Sequence, residues 1–319
     1  MLRSCKSSNA IATVNGNGCN TVWKPGAVYF LSMGSVVQIR TGEASADVAQ
    51  EKEQRLFSQL RTLPSLIVAL SGGIDSAYLA WAAHRTLGDR ALSVTAISAS
   101  YSSFDREQVE AFLQASGVIH EFVETHELEN PAYRVNDSNR CYHCKDELFT
   151  VLDTLASLRG IAALAYGVNA DDTADFRPGQ RAASEHRVLT PLLDAGMHKQ
   201  EIRFLAERAG IPMWNRPASA CLSSRLPYGT EVTPERLSLI ERGEEALRRL
   251  GFRQFRVRLH DTLGRVEIAP EELGRALTPE MATQIAKGLR AAGFTYVTLD
   301  LEGYRQGSLN ESLAKSQGT

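Results

Sequence analysis

Cysteine is scarce, five in 319 residues, and no apolar run approaches the roughly 20 residues that a bilayer-spanning helix needs. The first shortage argues against a secreted disulfide scaffold and favours a reducing, cytoplasmic setting; the second leaves no membrane partner. An excess of either charge is missing too, with 35 Lys and Arg against 37 Asp and Glu for a net charge of −2. A long nucleic acid therefore has no basic footprint to bind, while a small phosphorylated substrate stays open. Also absent is the GxxxxGKS/T phosphate loop, so the chain has no P-loop lysine.

What is present is a chain 43% hydrophobic, enough for one large core or two. Residues 1–47, rich in Ser, Asn, Gly and Thr and holding Cys5 and Cys19, read as a disordered or variable extension, with Met33 as an alternative start. Within it "AVYFLSMGSVV" (27–37) imitates a secretion signal, but "QIRTGE" interrupts it. From residue 48 to 216 strands near Leu66–Leu70, Ala91–Ser98, His120–Glu124 and Ala162–Gly167 alternate with helical patterns. That rhythm predicts an α/β, Rossmann-like domain with a parallel sheet, whose ligands sit at the carboxyl ends of the strands. Residues 217–312 predict a smaller C-terminal α+β domain with an antiparallel sheet, and 313–319 a tail.

The first strand runs into "SGGIDS", Ser71 to Ser76. Two adjacent glycines let backbone N–H groups touch a phosphate, and Asp75 and Ser76 fall where a helix begins and its dipole attracts anions. An ordinary strand-to-helix turn would use the same residue types, but not in so specified a pattern. Lacking the P-loop lysine, such a cradle suits a pyrophosphate leaving group. SGGxDS after a first strand resembles the PP-loop of the ATP pyrophosphatases. That resemblance implies that Ser71, Gly72, Gly73, Asp75 and Ser76 bind pyrophosphate with Mg²⁺ alongside. It also implies that Ala96–Ser98, with Ile97 at its centre, and the "YGVNADD" turn, with Gly167, frame the adenosine of ATP, leaving Asp171 and Asp172 to contact nucleotide or Mg²⁺.

Cys141 and Cys144 stand at CxxC spacing, and Cys221 lies beyond the first domain. A redox pair, half a zinc site completed by His143, His120 or His198, or chance would each explain the CxxC. Three cysteines without an evident fourth suit a [4Fe–4S] cluster with one iron open to an external ligand.

"SGGIDS", "NRCYHCK", "YGVNADD", "FRPGQRAA", "PLLDAGMHKQEIR", "RPASACLSSRLPYG", "FRVRLHD" and "LDLEGYRQGSLN" together resemble the LarE family, ATP-dependent sulfur transferases of nickel-pincer nucleotide cofactor synthesis, over about residues 50 to 312. The resemblance implies that ATP adenylates carboxylates of pyridinium-3,5-biscarboxylic acid mononucleotide and that sulfur then replaces AMP. It implies one of two donors. Either Cys221 gives up its own sulfur, or Cys141, Cys144 and Cys221 hold a cluster that carries a sulfide from an unidentified source. The second matches the three-cysteine pattern. Arg256 and Arg258 are implied for the substrate phosphate, Ser224 and Arg225 for the same neighbourhood, and Glu267, with Glu244 second to it, for metal or substrate. For the arginines a solvated surface, and for the glutamates a plain salt bridge, are the alternatives. A homo-oligomer, a hexamer of paired trimers, is implied as well. A tRNA thiolase and a non-catalytic adenine-nucleotide sensor with a structural metal are the rival functions.

Overall fold

A computed structural model describes residues 46–172, 178–217, 219–305 and 307 with their side chains, and 12–15, 18–21, 28–32, 35–39, 41–45 and 173–174 as backbone elements. The side chains of Cys5 and Cys19, Phe176 and Arg177 of the fourth motif, and the tail 313–319 lie outside the described residues. In the N-terminal segment the backbone forms two separate antiparallel hairpins, Ala12–Asn15 with Gly18–Thr21 and Val28–Ser32 with Ser35–Ile39.

Four strands build the main sheet: β1 (Leu66–Ala69), β2 (Ala91–Ile97), β3 (His120–Glu124) and β4 (Ala163–Tyr166), in the order β3-β2-β1-β4, all parallel. Every residue of β1 is buried, as a strand covered by helices on both faces must be. Helices α1 (Thr41–Arg61), α2 (Ile74–Leu87), α3 (Ser103–Ser116) and α6 (Lys199–Arg208) share one core, in which Leu56, Leu60, Tyr78, Phe112 and Ile202 are sealed from solvent. On another face α4 (Arg140–Arg159) and α5 (Pro178–Glu185) pack Phe149, Leu152 and Ala182 against Ile67, Val94 and Leu164. Each such large side chain contributes about 1.5–3 kcal/mol of burial. Because the chain passes from β1 outward to β2 and β3 and returns to β4 on the other side, the ends of β1 and β4 flank the switch point where this fold class places its ligands.

The second sheet is mixed. β5 (Phe255–His260) and β6 (Leu263–Ile268) form an antiparallel hairpin, but β7 (Tyr296–Leu299) runs parallel to β6, which corrects the antiparallel expectation. The reason is the connection: α8 (Pro279–Ala292) crosses over between β6 and β7, and a crossover of that length delivers a parallel strand. Val257, Leu259, Val266 and Ile268 pack on Ile240 and Leu247 of α7 (Pro234–Arg249) and on Ile285 and Leu289 of α8. Tyr133 and Cys144, from the first half of the chain, join this second core. Among the described residues no helix is long and apolar enough to cross a membrane.

Candidate functional site

β1 ends at Ala69 and α2 begins at Ile74, so the turn between them is short. Gly72 takes φ +82°, and a Cβ there would stand 3.3 Å from both the Asp105 main-chain oxygen and Val109 Cγ2. Conformation and contact together require glycine. Ser76 Oγ accepts the Ser71 N–H at 3.1 Å, meets Ser71 Oγ at 3.1 Å and donates to the Gly73 carbonyl at 2.9 Å, so the loop is tied to itself. Gly73 caps α2 without a side-chain bond, which leaves the first N–H groups of that helix available to an anion. Gly167 does its work behind the loop. A Cβ on it would come within 2.5 Å of Ser76 N, so β4 and the start of α2 meet backbone to backbone.

Asp75 lies in the first turn of α2, with one carboxylate oxygen paired to Lys199 Nζ and the other, Oδ1, buried without a hydrogen-bond partner. Burial pushes its pKa up; Lys199 opposes that, Asp172 adds to it, and the nearby Asn169 amide lowers it. Asp171 instead accepts from His198 Nδ1 at 2.6 Å and from the Lys199 N–H at 2.8 Å, fixing the turn that presents the lysine. Those bonds hold its carboxyl below the usual range. Asp172 accepts the Asn169 N–H at 3.1 Å.

A cavity of about 860 Å³ opens here, lined by Ser71, Gly73, Asp75, Gly167, Asp171, Asp172 and Lys199 from the first domain and by Arg253, Gln254, Glu271 and Tyr304 from the second. The volume suits a nucleotide. Gly72 and Ser76 shape it from behind, and Ile97, half-buried at the end of β2, does not line it. No three His, Cys, Asp or Glu side chains among the described residues group closely enough to form an all-protein metal site. Mg²⁺ at a nucleotide site characteristically takes only one or two carboxylates and completes its shell from phosphates and water. The unpartnered Asp75 oxygen beside Asp172 fits that demand.

A second cavity of about 400 Å³ adjoins the first across Asn215, Arg216, Pro217, Ser219 and Arg253, and holds Phe104, Arg225, Arg248 and Arg256. Arg225 is not a surface arginine: it is 3% exposed and bidentate on Glu244 at 2.8 and 2.9 Å, while its Nη1 donates to Ala220 O, Cys221 O and Ser224 Oγ. Arg258 makes the same kind of fork with Glu267, at 2.8 and 3.0 Å, and donates to Ser224 O at 2.8 Å. Both guanidiniums brace the loop carrying Cys221 and Ser224. Arg256 lies over the Tyr304 ring and donates to Phe255 O; burial and the neighbouring Arg225 lower its pKa, with Glu244 opposing.

The CxxC pair sits inside a helix. α4 begins at Arg140 and places Cys141 and Cys144 three residues apart in its opening turns. Cys141 is exposed and Cys144 and Cys221 half-buried, all three as free thiols. They sense one another: burial pushes the Cys144 thiol pKa up, as do Glu127, Cys221 and Cys141. Buried Arg140, which the motif contained but spacing did not single out, donates to Asn136 Oδ1 and Ser223 O and reaches Cys141 Sγ at 3.9 Å. Burial disfavours its charge, yet Cys221 and Cys141 hold its pKa up. Cys141 and Cys221 share the influence of one buried cation, Arg140, and thiols of this kind are the ligand type of iron–sulfur clusters.

Sequence reasoning also passed over Lys199, Arg216 and Asp105. Lys199 supplies at the phosphate loop the cation that the loop's own sequence lacks; its signal was the helix start in "GMHKQEIR".

No family model matches the chain. It is similar to an uncharacterized Synechocystis sp. protein, 41% identical over 266 residues, which cover 83% of this chain and 99% of that one. It is 33% identical over 267 residues to the pyridinium-3,5-bisthiocarboxylic acid mononucleotide synthase of Lactiplantibacillus plantarum, across 83% of this chain and 96% of the relative. A more distant likeness, 27% over 207 residues (59% of this chain and 65% of the relative), is to a subunit of the glutamine-hydrolyzing GMP synthase of Pyrococcus furiosus.

Proposed function

Because the chain belongs to the LarE family of pyridinium-3,5-bisthiocarboxylic acid mononucleotide synthases, we propose that it spends ATP to activate the carboxylates of pyridinium-3,5-biscarboxylic acid mononucleotide and replaces one oxygen of each with sulfur. The observation that carries this reading is the buried, unpartnered oxygen of Asp75, in a cavity that the phosphate loop and the second domain line together. A substrate carboxylate oxygen attacks the α-phosphorus of ATP, the α–β bridge breaks, and pyrophosphate leaves onto the α2 N-terminus and Lys199. Hydrosulfide then attacks the acyl carbon, the bond to AMP breaks, and the thiocarboxylic acid loses its proton.

Asp75, with Asp172, would hold Mg²⁺, which when bound compensates phosphate charge. Cys141, Cys144 and Cys221 would hold a [4Fe–4S] cluster, which when bound supplies an open iron to which sulfide can attach. Arg140 Nη2 stands 3.9 Å from the Cys141 sulfur, while burial holds Cys144 as a thiol, so that binding a metal there would release its proton. Arg225 and Arg258 hold the Cys221 loop, and Arg256 faces the smaller cavity, where a substrate phosphate can meet it. The assembly is a homo-oligomer in this reading, and its sulfide comes from outside the chain.

Anaerobic isolation, iron analysis and intact mass test the sulfur donor. About four irons per chain, more than one turnover on added sulfide and an unchanged mass are expected. Stoichiometric zinc with full activity overturns the cluster, and a single turnover with dehydroalanine at position 221 makes Cys221 the sacrificed donor.

A further inference from the structure

Two reactive loops rest on one bed, the segment from Ser100 to Asp105. On one side it supports the phosphate loop: the Asp105 main-chain oxygen lies against Gly72, and Arg216, paired with the Asp105 carboxylate, donates from Nη1 to the Gly72 carbonyl at 2.7 Å. On the other side it holds the loop bearing Cys221. Ser219 Oγ donates to the same Asp105 oxygen at 3.2 Å, and the Leu222 N–H donates to Ser100 O at 3.0 Å, one anchor on each side of Cys221. The bed is stiff, because Ser102 caps α3 on the Asp105 N–H and its hydroxyl donates to the second Asp105 oxygen. Arg216 and Asp105 are each 10% exposed, and Arg216 stacks over Phe104. Arg216 also belongs to the wall between the two cavities.

Neither Asp105 nor Ser219 lies within the SGGIDS phosphate loop or the cysteine set. We infer that Asp105 is a positioning residue that, with Arg216 and Ser219, keeps the Cys221 loop in register with the phosphate loop, so that sulfur reaches the activated acyl group before water does. The inference rests on the reaction proposed above. Its physical basis is a competition at one carbon. Hydrosulfide attack on the acyl-adenylate gives thiocarboxylate and AMP, whereas water gives back the carboxylate and the same AMP. A donor displaced by about 1 Å loses rate steeply, while water is always at hand. Loosening the bed therefore leaves ATP being consumed and sulfur not being transferred.

The test is the number of thiocarboxylates formed per AMP released by the anaerobic holoenzyme, given ATP, Mg²⁺, the dicarboxylate mononucleotide and sodium sulfide. Asp105→Asn, which weakens the grip on both Arg216 and Ser219, is expected to lower that ratio about tenfold, and Ser219→Ala, which removes one hydrogen bond, about twofold to threefold. A purely structural role lowers both products in step; an unchanged ratio in Asp105→Asn overturns the inference. If that variant does not fold, Ser219→Ala decides by the same ratio. Absence of AMP in the unsubstituted protein overturns the parent reaction instead, and the inference with it.

Discussion

At the two ends of the cleft between the domains, charge is handled in opposite ways. In the second domain the buried carboxylates Glu244 and Glu267 are closed on guanidiniums, the first on Arg225 and the second on Arg258 and Arg265. At the phosphate loop Asp75 pairs one oxygen with Lys199 and buries the other without a partner. Burial of an ionisable group costs free energy unless it is paired. The closed pairs meet that cost inside the chain and fix the shape of the Cys221 loop. The open one leaves that cost unmet within the chain, and in the proposed reaction a cation on the ATP phosphates would meet it.

The comparison can be broken at its open end first. Asp75→Asn should lower ATP cleavage by about 100-fold or more, because it removes the charge that a cation on the phosphates would meet, while changing thermal stability little. An active Asp75→Asn protein would mean that the orphan oxygen is an accident of packing. At the closed end the expected loss is in folding. Glu244→Gln leaves Arg225 buried without its counter-charge and should cost roughly 3 kcal/mol in denaturant unfolding. The Glu244 carboxyl is held below its ordinary value of 4.5, since Arg225 outweighs the burial that would raise it. Its contribution is therefore complete above pH 4.5 and lost only as pH falls through the depressed value, and Glu244→Gln should flatten that acid loss. A variant as stable as the parent would show that the pair does not hold the loop.

The smallest expected effect lies in a pH profile. Burial already raises the pKa of Asp75, and Lys199 lowers it. In Lys199→Met the carboxyl must protonate at higher pH, so the acid limb of ATP cleavage, normalised to its plateau, should move upward. An unmoved limb would separate Lys199 from the chemistry of Asp75.

Much of the first domain was legible: Leu66–Ala69, buried on both faces, writes itself as a short apolar run and was read to within one residue, and the edge strand His120–Glu124, only half-buried, was read to the residue. The short helices Pro131–Arg134 and Pro191–Asp194 were not, since a single turn leaves no period to detect. Nor was the parallel partner of β6, whose direction depends on a crossover and not on the composition of the strand. In the site, the phosphate loop was legible because its glycines, its aspartate and its serines are contiguous. The pairings that decide what the arginines do join Arg225 to Glu244 across 19 residues, and Arg216 to Asp105 across 111. Lys199 meets Asp75 across 124. Linear spacing carries no trace of such meetings, and only the fold makes a surface-like arginine into a buried brace.

The central claim is that the open carboxylate serves a nucleotide whose α–β bond is broken to activate an acyl group. It is tested most directly by identifying the products of ATP when the protein is given Mg²⁺, sulfide and the dicarboxylate mononucleotide. AMP and pyrophosphate should appear in equal amounts, dependent on the mononucleotide and matched by thiocarboxylate; ADP and inorganic phosphate would contradict the account.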